Sequence, residues 1–148
     1  LYKTVDRATS LCCTGNAAVD SIINLKGDLA RSQGISYMTK IKLAQLSCDT
    51  VALCRILGNA LDNAIEACAR VSSGERCVCL MLSNMDDRLL ICIENTSPPV
   101  DTEALTTTKE NKAVHGIGLQ SIRRTVSQMG GNISCTYNEG FFTMNILI

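Results

Sequence analysis

Residues 55–67 read RILGNALDNAIEA, and they decide the fold. Wound at about 100° per residue, the run from Asp49 to Val71 puts Leu53, Leu57, Ala60, Leu61, Ala64, Ala67, Cys68 and Val71 on one side, the pattern of a helix packed on a sheet. Arg55, Asn59, Asn63, Glu66 and Arg70 fall within an arc of roughly 80° on the other side. Asp49 is the N-cap, no breaker except Gly58 interrupts the run, and SSGE at 72–75 supplies the turn that ends it. A polar stripe of this kind is ordinarily the solvated face of an amphipathic helix. Asparagine is a poor helix former, however, and two of them one turn apart in mid-helix imply a compensating use. An amide oxygen is a neutral, hard ligand suited to Mg²⁺, which keeps several waters and shares the rest of its shell with nucleotide phosphates. Asn63 is the better placed of the two.

Working outward, residues 16–33 form a helix that Gly34 stops, and Ile35 to Leu43 alternates like a strand. Cys77–Ser83 and Leu89–Asn95 flank the polar turn NMDDR as an antiparallel pair, ending before Pro98 and Pro99. Residues 96–115 turn to Thr, Lys, Glu and Asn with few apolar side chains, too long for a plain connection, and read as a mobile lid. A third helix, GIGLQSIRRTVSQM, starts at Gly116; Leu119, Ile122, Val126 and Met129 recur at three and four, and Gly130 and Gly131 end it. ISCTY, the turn NEG and FFTMNILI make a closing hairpin. Three helices and five strands predict an α/β (α+β) two-layer sandwich, a mixed sheet with helices on one face.

Composition narrows the function. The 148 residues fit one domain. Lys plus Arg and Asp plus Glu number 14 each, and aromatic residues make up 3%, which argues against a nucleic-acid surface. No apolar run reaches the ~18 residues of a membrane span, and no signal-peptide pattern opens the chain. The sequence begins at Leu1 without methionine, so a piece of a longer protein is expected, which leaves room for targeting signals upstream. Nine cysteines include no C-x-x-C spacing and read as small hydrophobes in a reducing compartment, with Cys54 and Cys68 at core positions and Cys92 inside a strand.

A second feature is HGIGLQSI at 115–122, where two glycines at a helix start let the backbone approach closely and offer N–H groups to phosphate. Order and spacing join the two signals: an N-x-x-x-N helix, a strand with a polar end, a polar lid, then G-x-G-L opening a helix. The chain resembles the GHKL nucleotide-binding fold, also called the Bergerat fold. RILGNALDNAIEA looks like its N box, IENTS at 93–97 sits where the G1 box belongs, and GIGL at 116–119 looks like the G2 box. NALDNAIEA, the Thr-Thr-Lys at 107–109 and HGIGLQSI are similar to the peptide quorum-sensing histidine kinases of Gram-positive bacteria.

The resemblance implies a five-stranded mixed sheet with three helices on one face, holding ATP between the N-box helix and the lid, and a single catalytic domain over 1–148 whose first 15 residues lead in from an upstream dimerisation domain. Asn63 would be the Mg²⁺ ligand and Asn59 would support the phosphates. Gly116, Ile117, Gly118 and Leu119 would wrap the triphosphate beside His115, Lys109 would meet it from the lid, and Asn95 would accept from the adenine amino group. Partners implied are ATP, a phosphoacceptor histidine on the missing domain, a response regulator and, for the full protein, a second copy; neither nucleic acid nor direct membrane contact is expected. The localisation implied is a cytoplasmic domain of a membrane-anchored sensor.

Several positions depart from the pattern. Asn95 stands for an aspartate, Ser97 and Pro99 stand for G1 glycines, Val114 stands for a first G2 glycine, and Glu66 replaces a cation, leaving it a group that reaches the metal through its ligands or water, or a surface residue. An uncharged acceptor at Asn95 implies weak nucleotide affinity. ATP-hydrolysing relatives of the gyrase type carry a glutamate one turn before the metal asparagine; here that residue is Asn59, an amide that cannot serve as a general base, which favours phosphoryl transfer over hydrolysis. His115 belongs to the glycine loop, so the acceptor histidine lies elsewhere and the chain alone is not expected to autophosphorylate. The alternative is a degenerate module that serves as a dimerisation or docking domain.

Overall fold

Asn16 starts the first helix by accepting, through its side-chain oxygen, from the N–H groups of Ala18 and Val19, which would otherwise lack partners at a helix start. The computed structural model describes residues 12–103 and 117–148. Within them run α1 (Ala17–Ser32), β1 (Ser36–Lys42), α2 (Thr50–Ala69), β2 (Cys77–Met85), β3 (Arg88–Thr96), α3 (Ile117–Gln128), β4 (Asn132–Asn138) and β5 (Phe141–Leu147). Helix α1 buries Val19, Ile23, Gly27 and Ala30, whereas Leu29 is 40% exposed. It lies one step of about 100° round the helix from Ala30 and so turns outward.

Helix α2 is capped as its sequence predicts, Asp49 accepting from the N–H of Ala52 at 2.9 Å. Its inner face is broader than the expected set: Ile56 and Ile65 are fully or nearly fully buried, while Ala67 and Val71 are only half-buried. Cys68 is a core residue, as expected; Cys54 is half-buried and packs against the core from its edge.

The five strands form one mixed sheet in the order β1-β2-β3-β5-β4, with β1 parallel to β2 and every other pair antiparallel. Alternation places Val78, Leu80 and Leu82 of β2, Ile91 and Ile93 of β3, and Met144 and Ile146 of β5 under the three helices. This is the two-layer architecture read from the sequence. The β2–β3 turn is tighter than the five residues NMDDR: Met85 pairs with Arg88, so only Asp86 and Asp87 lie outside the ladder, with Asp86 at φ 53°. The apolar alternation ends at Ser83, but backbone pairing continues through polar side chains that periodicity does not register. In the β4–β5 hairpin Glu139 (φ 46°) and Gly140 (φ 89°) both take positive φ, the two-residue turn that matches strand twist. Among the described residues no helix is long and apolar enough to cross a membrane.

Candidate functional site

Three alanines on α2, Ala60, Ala64 and Ala67, keep that stretch of helix slim where it crosses β3 and β5, and space remains between the layers. The result is a cleft open to solvent between α2 and the sheet. Ile93 of β3 and Phe142 and Met144 of β5 give it an apolar floor. Asn63, Glu66 and Arg70 line it from α2, Asn95, Ser97 and Val100 from the end of β3 and beyond, and Leu119 from α3.

The polar stripe of α2 is solvated at Arg55, Glu66 and Arg70, whereas Asn59 and Asn63 are half-buried. Three of its five members, Asn63, Glu66 and Arg70, line the cleft. Asn59 is half-buried against α3, its Nδ2 donating to Ser121 Oγ at 3.3 Å, and lies outside the cleft lining; Arg55 is exposed. Sequence periodicity gives the angle of a residue about its helix but not what stands opposite, and at the two asparagines α3 and the cleft stand where solvent was expected.

Asn63 and Gly118 touch. A Cβ built on Gly118 would come within 2.9 Å of Asn63 Oδ1, so the absence of a side chain is what lets the start of α3 lie against that amide. The two sequence signals, 55 residues apart by number (118 − 63), meet at this contact. Asn95 is 1% exposed, and its Nδ2 donates to the Thr96 carbonyl at 2.9 Å. Asn95 also lines the cleft.

The sequence-predicted residues thus divide. Asn63, Asn95 and Leu119 line one cleft, Gly118 abuts Asn63, Asn59 of α2 bonds to Ser121 of α3, and Ile117 is the first residue of α3. Lys109, His115 and Gly116, with most of the expected lid, lie outside the described residues, as do residues 1–11 of the lead-in. Sequence reasoning missed the floor, because Phe142 and Met144 join Asn95 and Ile93 only through the β3–β5 register. It also gave no role to Arg70, the cation on the cleft wall.

The donor set is one of amides and carboxylate, hard oxygens rather than sulfur. All nine cysteines are free thiols, and burial, with nearby carboxylates adding to it, raises the pKa values of Cys77 and Cys92 and so keeps them protonated. Among the described residues no group of three or more His, Cys, Asp and Glu side chains is arranged to hold a metal. A metal at Asn63 would accordingly take much of its shell from a ligand and water, as Mg²⁺ does with phosphates.

Residues 48–148 match the family described as the GHKL domain. Over 99 residues the chain is 32% identical to the sensor histidine kinase DpiB of Escherichia coli (strain K12), a match covering 62% of this chain and 18% of that protein. The chain thus spans less than a fifth of that relative's length. In structure it is similar to the nucleotide-free catalytic domain of the histidine kinase ThkA, with a TM-score of 0.74 at 20% identity over 91% of each chain. It is also similar to full-length ShkA in complex with AMPPNP, with a TM-score of 0.72 at 21% identity over 88% of this chain and 28% of that one. The mycobacterial sensor histidine kinase MprB gives 0.66 at 18% identity over 86% and 91%. At such identities the likeness is one of fold, and the fold is that of histidine-kinase catalytic domains.

Proposed function

The chain belongs to the GHKL family, and on that premise we propose that it is the ATP-binding catalytic domain of a two-component sensor histidine kinase. The observation that carries this reading is Asn63 on the cleft wall with Gly118 pressed against it, because it unites the helix and glycine signals at one place. Asn63 holds Mg²⁺, which when bound neutralises charge on the phosphate oxygens. Gly116, Ile117 and Gly118 follow the phosphates with their backbone, Leu119 packs at the cleft edge, Lys109 and His115 add contacts from the lid side, and Asn95 Oδ1 accepts from the amino group of the base. Glu66 would stand near the metal or serve as a surface residue, and Arg70 supplies positive charge on the same wall.

Asn59 decides between two reactions. A carboxylate there would activate water; an amide cannot, and this one is engaged with Ser121. Catalysis is then positioning and charge stabilisation for transfer of the γ-phosphoryl group to a histidine on an upstream dimerisation domain. The whole protein would act as a homodimer on the cytoplasmic side of a membrane-anchored sensor and pass the group to a response regulator. NALDNAIEA and HGIGLQSI favour placing it with the peptide-sensing group of Gram-positive bacteria.

The test is isothermal titration of the chain with Mg-ATP, followed by phosphoryl transfer from labelled ATP once the upstream acceptor domain is supplied. Binding weaker than micromolar and transfer to the supplied histidine are expected; sub-micromolar binding contradicts the weak acceptor at Asn95. Ser97 and Pro99 at glycine positions favour a second reading, a degenerate docking or dimerisation module. Absence of Mg-ATP binding would select it.

A further inference from the structure

The sheet has two edges, and they are guarded differently. β1, at one end of the strand order, carries Lys40 and Lys42 on its exposed side, charged side chains of the kind that keep an edge from pairing. β4, at the other end, reads NISCTYN and holds neither a charge nor a proline. Its one-to-one register with β5, from Asn132 opposite Leu147 to Asn138 opposite Phe141, leaves no bulge to bend the edge away. Among the described residues β5 is the one strand that pairs with it.

The backbone groups that this edge offers follow from one bonded pair. Leu89 and Ile148 exchange N–H···O bonds at 2.8 and 3.0 Å. Alternation from that pair across the sheet turns the backbone of Ser134 and Thr136 toward β5. The N–H and C=O groups of Ile133, Cys135 and Tyr137 therefore point to the free edge. Their side chains are half-buried, and the alternate residues of the strand are exposed on the other face.

The strand is also symmetric in chemical character about Cys135: read backwards it is Asn, Tyr, Thr, Cys, Ser, Ile, Asn. A second copy laid antiparallel, Cys135 opposite Cys135, sets Ile133 opposite Tyr137, Ser134 opposite Thr136 and asparagine opposite asparagine. A ring against a β-branched chain and a hydroxyl against a hydroxyl are favourable cross-strand pairs, and no like charges meet. In this register every free N–H of the three edge residues faces a free C=O. A slip of one residue would face them with groups already bonded to β5.

We infer that β4 is a self-pairing edge: two copies of the chain join antiparallel about Cys135, and their five-stranded sheets become one continuous sheet. None of the strand's residues lines the cleft, so pairing leaves that site open. The strand supplies seven residues a side, against the roughly 20–30 of a standard interface, which makes the dimer a weak one.

Sedimentation and backbone amide exchange on the full chain test this. From roughly 0.01 to 1 mM the chain should pass from monomer toward dimer. The amides of Ile133, Cys135 and Tyr137 should exchange fast when dilute and several-fold more slowly when concentrated, while those of Ser134 and Thr136 stay protected throughout. At low salt the double variant Ser134→Lys with Thr136→Lys should remain monomeric, and so should Ser134→Glu with Thr136→Glu, because each sets like charges opposite one another. An equimolar mixture of the two should dimerise again. A wild-type chain still monomeric at about 1 mM overturns the proposal. So does a dimer that the lysines leave intact, or one whose newly protected amides lie outside β4. The exchange pattern needs no substitution and decides the matter even where a variant folds poorly.

Discussion

Asp62 and Asn63 are neighbours on α2, and the two flanks they face have opposite character. Asp62 turns to α1, where Lys26 pairs with it at 2.6 Å; the lysine side chain is 16% exposed and the aspartate 42%. On that flank Gly27 lets Tyr37 lie so close that a Cβ would meet its ring at 2.8 Å, while the Tyr37 hydroxyl donates to the Ile23 carbonyl at 3.2 Å. Asn63 turns to the cleft, with Gly118 beside it and no ion pair. A partly buried charge must find its partner within the protein, whereas a neutral amide can face a water-filled cleft at little cost. The helix is closed by charge and an aromatic ring on one side and left open by amides and alanines on the other. The candidate chemistry sits on the open side.

A β-carbon separates the two flanks most sharply. Gly27→Val should destabilise the fold by about 3 kcal/mol, since the branched side chain meets a ring held by its own hydrogen bond. Chemical denaturation reads this loss, and nucleotide affinity per folded molecule should stay unchanged. At Gly118 the neighbour is the flexible end of Asn63, which can move aside. Gly118→Ala should therefore leave the midpoint of unfolding nearly unchanged while weakening Mg-nucleotide binding about tenfold, or about 1.4 kcal/mol, as titration would show. The reverse pattern would erase the distinction between the flanks.

Lys26→Ala is a smaller perturbation. It strands Asp62 beside α1, but that carboxylate is substantially solvated, so about 1 kcal/mol of stability is expected to go, again with binding untouched.

The smallest effect is one of pH and belongs to the closed flank. Burial first, then Asp20, pushes the Cys12 thiol from 9.0 up to about 11, and burial also raises the Tyr37 phenol above its ordinary 10.0. Both groups hold their protons longer in the folded chain than in the unfolded one. Their contribution is complete below the unfolded pKa values and is lost as pH rises through the folded ones. Stability measured by denaturant should be level through neutral pH and decline above about pH 9, and Tyr37→Phe should soften the decline.

The layer order was legible because it follows from periodicity: Leu53, Leu57 and Leu61 on one face of α2, and alternating residues on β2 and β3, have the burial that their spacing requires. The site was legible in part. Asn63 and Gly118 stood out as residue types whose local cost implied a use, asparagine in mid-helix and glycine at a helix start. The cleft floor was not, because Phe142 reaches Asn95 through strand register, and register depends on the whole sheet. The contact of Asn95 was hidden too, because spacing does not say which backbone carbonyl a side-chain amide meets, here that of Thr96.

The most direct test of the central claim is the Mg²⁺ dependence of ATP binding, measured by titration in wild type and in Asn63→Ala, each with the metal present and with it chelated. The wild type should bind ATP at least about tenfold more tightly with Mg²⁺, and Asn63→Ala should bind equally weakly in both conditions. An Asn63→Ala chain that keeps the full Mg²⁺ enhancement would contradict the assignment of that amide as the metal ligand.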